Sequence, residues 1–204
     1  TCALPISFTV SGGGCIHLID SLRKSKLSTI CVHHEQAALM ASEGYYRMNG
    51  KIAANIITTG PGGTNTLTGL LGLWLDSIPS IIVSGQVQRS QMSKNTGCRQ
   101  IGDQEFDIIP VVKTMTKYAK SIINPNEILQ ELEYAYQIAI HGRKGPVWLD
   151  IPLDIQAMEI DENQLIKEKI EFKNPIIETS SILKFEKLLE QAKKPLIIIG
   201  NGIR

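Results

Sequence analysis

The chain has 204 residues, of which 43% are hydrophobic and 20% charged, enough for one complete core and the start of a second domain. Its 21 Lys and Arg balance 20 Asp and Glu, so no net field favours nucleic acid or an anionic membrane, and a small-molecule role is the default. No apolar run approaches the roughly 18 residues that span a bilayer and no signal-peptide pattern opens the chain, while the four cysteines Cys2, Cys15, Cys31 and Cys98 hold no C-x-x-C pair and read as reduced thiols of a cytoplasmic protein.

The first seven residues, TCALPIS, match codons resembling the end of a sequencing adapter and read as non-native read-through, set aside from the fold as a fusion scar would be. Short apolar runs bounded by Gly, Pro, Ser or Asn then follow: SFTV at 7 to 10, STICV at 28 to 32, IAANIITT at 52 to 59, SIIVSG at 80 to 85 and PVWLDIP at 146 to 152. They predict doubly buried strands. Helices are predicted over 15 to 24, 36 to 48, 63 to 75 and 125 to 141, the last with Asn124 as N-cap, Pro125 at its first position and Ile128, Leu132, Ala135 and Ala139 on one face. This alternation predicts an α/β domain over 8 to 155, a mainly parallel sheet with helices on both faces. Ligands of such sheets bind where the strands end at their carboxyl termini.

From 156 to 180 the composition turns charged and the apolar periodicity fades, which predicts a linker. Residues 181 to 204 then read as the truncated start of a second α/β domain: an amphipathic helix, a Lys-Lys-Pro stop and a strand ending in GNG.

Several unusual stretches follow predicted strands: SGGG at 11 to 14, HHEQ at 33 to 36, TTGPGGTN at 58 to 65 and SGQVQR at 84 to 89. GPGGTN is glycine-rich enough to let a flat group approach the backbone, but Asn65 stands where a dinucleotide fingerprint has its third glycine and no Gly-Lys-Ser/Thr follows. On the motif alone a tight strand-to-helix turn is the plainer explanation. His33 and His34 are adjacent, point in different directions and lack a third ligand at metal-site spacing, so no metal site is expected. Glu35 opens a helix, where the macrodipole favours a carboxylate. Yet Ala37, Ala38, Leu39 and Met40 follow it with few polar partners, surroundings expected to raise a carboxyl pKa and suit proton transfer.

Taken in order, GGG, HEQ, GPGGTN, SGQ, GDQE and KGPVWLDIP resemble one family. The pattern is similar to the N-terminal pyrimidine-binding domain of thiamine diphosphate-dependent enzymes, nearest to the acetohydroxyacid (acetolactate) synthases, from about Phe8 to Ile155 and more weakly over 181 to 204. The resemblance implies that Glu35 shares a proton with N1′ of the cofactor's aminopyrimidine, favouring the tautomer whose 4′ nitrogen deprotonates the thiazolium. The ylid so formed attacks a 2-keto acid such as pyruvate and carbon dioxide leaves. By the same resemblance Pro61 and Asn65 lie beside the pyrimidine, Gly12 and Gly13 face the active site, Gln104 lies near the substrate, and His34 matches a histidine of the family. Ser11 stands where the family usually has proline, Asp103 where the synthases have phenylalanine, and His33 replaces a common arginine, which leaves the keto acid open.

The resemblance further implies Mg²⁺ and the cofactor's diphosphate held by a C-terminal domain of a partner subunit through Gly-Asp-Gly and a later Asn, with FAD, where present, in the central domain. GDQ at 102 to 104 is not that motif. The chain is therefore expected to be the N-terminal part of a decarboxylase or carboligase that works as a homodimer or tetramer and is inactive alone. Two other readings stay open: a pyrimidine-domain subunit of a split keto-acid decarboxylase, and a non-catalytic assembly domain.

Overall fold

The computed structural model describes residues 4 to 165 and 176 to 201. Six strands, β1 (Ile6–Thr9), β2 (Ser28–Cys31), β3 (Ala54–Ile57), β4 (Ile81–Gln86), β5 (Tyr118–Ser121) and β6 (Val147–Pro152), form one sheet in the order β2-β1-β3-β4-β6-β5. Every pairing is parallel. Parallel neighbours need crossovers, and these carry the helices α1 (Ile16–Lys24), α2 (Glu35–Asn49), α3 (Pro61–Asn65), α4 (Leu67–Leu75), α5 (Ile109–Val112) and α6 (Ile128–Ile140), with α7 (Leu153–Gln156) and α8 (Thr179–Gln191) following β6. Among the described residues no helix is long and apolar enough to cross a membrane.

Alternation along the central strands feeds two cores, one on each face of the sheet. Phe8, Ile57, Ile82 and Trp148 point to the side of Ala38, Leu39, Leu70 and Leu73 from α2 and α4. Ile56, Ile81, Val83, Leu149 and Ile151 point to the other side, with Ala135 and Ala139 of α6 and the partly buried Leu18, Ile19 and Leu22 of α1. A fully buried Ile or Leu contributes roughly 1.5–3 kcal/mol by leaving water, so β3, β4 and β6, buried along their whole length, anchor the domain.

The five strands predicted between residues 7 and 152 are present, with four departures from the expected picture. β2 is an edge strand with all four residues exposed, because doubly buried strands need a neighbour on each side. β5, at the other edge, is absent from the predicted set. Its sequence YAKS has no apolar run, and Lys120 is held by Glu127 at 3.0 Å and Glu131 at 2.6 Å. β1 starts at Ile6 and pairs Ile6 with Ser28 and Ser7 with Thr29, inside the stretch set aside as read-through. The strand expected to end in GNG is not formed over the described residues 195 to 201: Leu196 and Ile198 are 84% and 86% exposed, with no neighbouring strand among the described residues to satisfy a ladder.

The helix predicted over 63 to 75 divides into α3 and α4 at Thr66, whose N–H and hydroxyl both turn back to the Gly63 carbonyl, at 3.2 and 2.6 Å. α2 stops at Gly50, whose φ of 66° is open to glycine at little cost. The predicted helix at 125 begins as a single 3-10 turn, capped by Asn124 accepting from the Asn126 N–H at 3.1 Å, before α6. Of the predicted linker, 166 to 175 lie outside the described residues. α8 forms where the amphipathic helix was expected, with Ile182, Phe185, Leu188 and Leu189 exposed.

Candidate active site

β1 has β2 on one side and β3 on the other, so the chain leaves the carboxyl ends of β1 and β3 in opposite directions and a crevice opens between them. The segments at 11 to 14, 33 to 36 and 58 to 65 follow the carboxyl ends of β1, β2 and β3, and 84 to 89 spans the carboxyl end of β4.

The loop from Thr58 to Gly63 is the hub of this crevice. On one side it holds the first glycine segment: the Gly14 N–H donates to Thr58 Oγ1 at 3.1 Å, and a side chain at Gly12 would place its Cβ 2.5 Å from Thr58 Cβ. Only a residue without Cβ fits there. Gly13, between them, faces open space. Gly85, near the end of β4, is equally confined, since a Cβ would lie 1.9 Å from the Gly14 carbonyl oxygen.

On its second side the loop meets Glu35. This residue opens α2 and is 8% exposed. Asn65, at the end of α3, donates Nδ2–H to Glu35 Oε2 at 3.0 Å. The other oxygen, Oε1, accepts no hydrogen bond among the described residues and faces Gly62, where an added Cβ would stand 3.3 Å from it and 2.7 Å from Thr58 Cγ2. The sequence suggested few polar partners for Glu35; the structure supplies one, Asn65, thirty residues away. His34 is the N-cap of α2, its Nδ1 accepting from the Gln36 N–H at 3.1 Å. That bond satisfies one of the free donors of the first turn and fixes the helix end that carries Glu35. His33 is exposed.

On its third side the loop touches Gln104. Gly60 has φ +57°, and a Cβ there would fall 1.9 Å from the Gln104 carbonyl oxygen. Gln104 itself is exposed and has φ 55°, a left-handed backbone unusual outside glycine. The turn that carries it is tied from below by Glu105, which is buried and accepts from the Ser93 and Ile101 N–H groups at 2.6 and 3.1 Å. Despite its burial, these bonds lower the Glu105 pKa.

The residues singled out from sequence lie around this loop: Gly12 on Thr58 with Gly13 next to it and open, Glu35 against Gly62 and bonded to Asn65, Gln104 against Gly60, and Pro61 exposed at the start of α3. Asp103 is exposed beside Gln104. Residues that sequence reasoning passed over are Thr58, Thr59, Gln86 and Asp150. The last two carried a visible signal, a polar side chain inside an apolar strand. Gln86 is 1% and Asp150 2% exposed, and they are joined by a bond from Gln86 Nε2 to Asp150 Oδ2 at 3.3 Å. Burial pushes the Asp150 carboxyl up to about 7; bonds from Ser84 and Gln86 oppose this and the nearby Asp107 charge adds to it.

The family profile of the thiamine pyrophosphate enzyme N-terminal TPP-binding domain matches residues 5 to 110. The chain is 35% identical over 201 residues to the acetolactate synthase large subunit of Corynebacterium glutamicum, covering 97% of this chain and 31% of that protein. A probable acetolactate synthase large subunit of Methanocaldococcus jannaschii is 34% identical over 203 residues, 97% of this chain and 33% of that protein. The chloroplastic acetolactate synthase of Arabidopsis thaliana is 32% identical over 201 residues, 96% of this chain and 29% of that protein. The chain thus spans about a third of the length of these relatives.

Proposed function

The chain belongs to the thiamine pyrophosphate enzyme family through its N-terminal TPP-binding domain, and from that premise we propose that the whole protein is a thiamine diphosphate-dependent decarboxylase or carboligase of the acetolactate synthase kind, acting on a small 2-keto acid. The observation that carries this reading is Glu35: a buried carboxylate with one oxygen held by Asn65 and the other open toward the bare face of Gly62.

The residues present fit the aminopyrimidine end of the cofactor. Oε1 can accept a ring N–H, Gly62 and Gly13 offer surfaces with no side chain, and Pro61 lies at the rim. Bound thiamine diphosphate supplies the carbon nucleophile and electron sink needed to break or form a bond beside a keto carbonyl. Glu35 then holds a proton at Oε1 and can return it, Asn65 fixes the orientation of the carboxylate, and burial keeps competing water from that bond. Gln104, exposed at the crevice edge, is the side chain that meets the substrate in this reading.

Mg²⁺ and the diphosphate are assigned to residues outside this chain, and a second copy of the full-length subunit completes the site. Exposed apolar side chains support that partner: Ile16, Met48 and Leu75 are 58%, 84% and 62% exposed. FAD, if bound, would lie outside this domain. The site faces a crevice between strands of an α/β sheet, and with near-balanced charge this fits a small acid in the cytoplasm better than nucleic acid or a membrane.

The test is Glu35→Gln in the full-length protein, assayed for pyruvate consumption with thiamine diphosphate and Mg²⁺. Turnover should fall by about a hundredfold or more while the oligomer stays intact. Unchanged turnover would remove Glu35 from the chemistry, and loss of the oligomer would favour an assembly role.

A further inference from the structure

Below the crevice, on the side of the sheet that packs against α2 and α4, lies a run of buried polar side chains that the proposed chemistry does not use. Trp148 Nε1–H donates to Ser84 Oγ at 2.8 Å, and the Ser84 hydroxyl donates to Asp150 Oδ1 at 2.5 Å. Asp150 Oδ2 accepts from Gln86 Nε2 at 3.3 Å. Among the described residues the run then leaves the sheet through Gln86. Its Oε1 accepts from the Thr59 hydroxyl at 2.5 Å and from the Val87 N–H at 3.0 Å, and its Nε2 also donates to the Phe106 carbonyl at 2.9 Å.

Both ends of this amide reach the walls of the crevice. Thr59 immediately precedes Gly60, and Phe106 lies two residues beyond Gln104. Gly60 and Gln104 are the pair in backbone contact, both with left-handed φ. Gln86 therefore bonds to both chains, close on either side of the point where they touch. A left-handed backbone at a non-glycine residue is unfavourable and persists only where surrounding contacts over-determine it. The two bonds of Gln86 supply such contacts, and Asp150 keeps the amide from rotating, because its acceptor fixes which end of Gln86 carries the donors.

We propose that Gln86, oriented by Asp150, is a positioning residue that latches the 58 to 63 loop to the 102 to 106 turn and so sets where Gln104 meets the substrate. This rests on the reading of the crevice as a thiamine diphosphate and keto-acid site. An apolar residue at 86 would fill the space but leave Thr59 Oγ1 and the Phe106 carbonyl without their partner, and the turn would be free to shift. A misplacement of about 1 Å at a reacting site can lower rate a hundredfold.

The experiment uses the full-length protein and three variants: Gln86→Glu, Asp150→Asn and the double variant. Gln86→Glu sets two buried carboxylates against each other and removes the donor to Phe106. It should raise KM for the keto acid and lower kcat/KM by about tenfold to a hundredfold, while thiamine diphosphate affinity, read by cofactor fluorescence quenching, stays within about threefold because Glu35 and Asn65 are untouched. In the double variant, Asn at 150 can donate to Glu at 86 and restore the link, and Thr59 keeps its acceptor. At least about a fivefold part of the lost kcat/KM should return. If wild type turns over keto acid and Gln86→Glu leaves kcat/KM within about twofold, or the double variant is no better than Gln86→Glu alone, the latch is overturned. If wild type itself binds no thiamine diphosphate, the reading of the site fails instead, and the two failures are distinct.

Discussion

Asn65 Nδ2 and Glu35 Oε2 lie 3.0 Å apart across thirty residues of chain, one at the end of α3 and the other at the start of α2. A buried carboxylate is unfavourable without partners, and this single donor occupies one oxygen while leaving the other available. Asn65 thus sets which oxygen of Glu35 faces the crevice. Asn65→Ala should lower unfolding free energy by about 1.5–3 kcal/mol in denaturant titrations, the range of a hydrogen bond to a charged group. Turnover of the full-length protein should drop by about tenfold, less than for Glu35→Gln, because the carboxylate remains but is no longer held. A loss as large as that of Glu35→Gln would mean that Asn65 itself touches the reacting groups.

Glycines of the crevice should separate into two classes under alanine substitution. At Gly60 a Cβ would meet the Gln104 carbonyl oxygen at 1.9 Å with φ already positive, while at Gly13 nothing lies within 4 Å. Gly60→Ala is expected to lower unfolding free energy by about 2 kcal/mol or more, since both the close approach and the backbone angle oppose it. Gly13→Ala should fold with near wild-type stability. Any effect at Gly13 should appear as weaker thiamine diphosphate binding, because the added methyl occupies crevice rather than core. A Gly13→Ala protein that melts as early as Gly60→Ala would contradict the open space seen at that position.

The sheet was legible because β1, β3, β4 and β6 are apolar runs cut off by Gly, Pro or Ser, and doubly buried parallel strands look like that in any sequence. β5 was hidden because Tyr118 and Lys120 take their partners from outside the strand, Glu131 from α6 and Glu127 from the turn that precedes it. Such pairing exists only after folding. Within the site, Glu35 stood out as a charge between apolar segments, and the glycine runs stood out by density. The contacts that join them, Gly62 to Glu35, Gly60 to Gln104 and Gln86 to Thr59, are long-range and leave no periodicity to read. Gln86 and Asp150 were visible as polar residues inside strands, but their bonds were not.

His34 serves the site from outside the chemistry. Its Nδ1 accepts the Gln36 N–H, an arrangement in which a neutral ring nitrogen does what a Ser or Asn oxygen does at most helix starts. His34→Ala should lower stability by about 1 kcal/mol, and His34→Asn should recover most of it. Both are measured by chemical denaturation with cofactor absent, so that the cap is read apart from binding. Equal losses in the two variants would show that the imidazole contributes by packing rather than by capping.

Asp150 gives the domain a pH dependence opposite to that of an ordinary paired carboxylate. Its folded pKa is raised from 3.8 to about 7, first by burial, so the native state holds a proton that the unfolded chain has already released between those values. Stability from this group is full below the unfolded pKa and is lost as pH rises through about 7, since the native state must then bury a charge that the unfolded state leaves in water. Asn at 150 has the same shape and no such titration. The difference in unfolding free energy between wild type and Asp150→Asn should therefore shift toward the variant as pH rises from about 5 to about 8. Denaturant titrations at the two pH values measure it directly. A difference that stays constant from about pH 5 to about 8 would mean that the bonds from Ser84 and Gln86 outweigh burial and keep Asp150 ionised throughout that range.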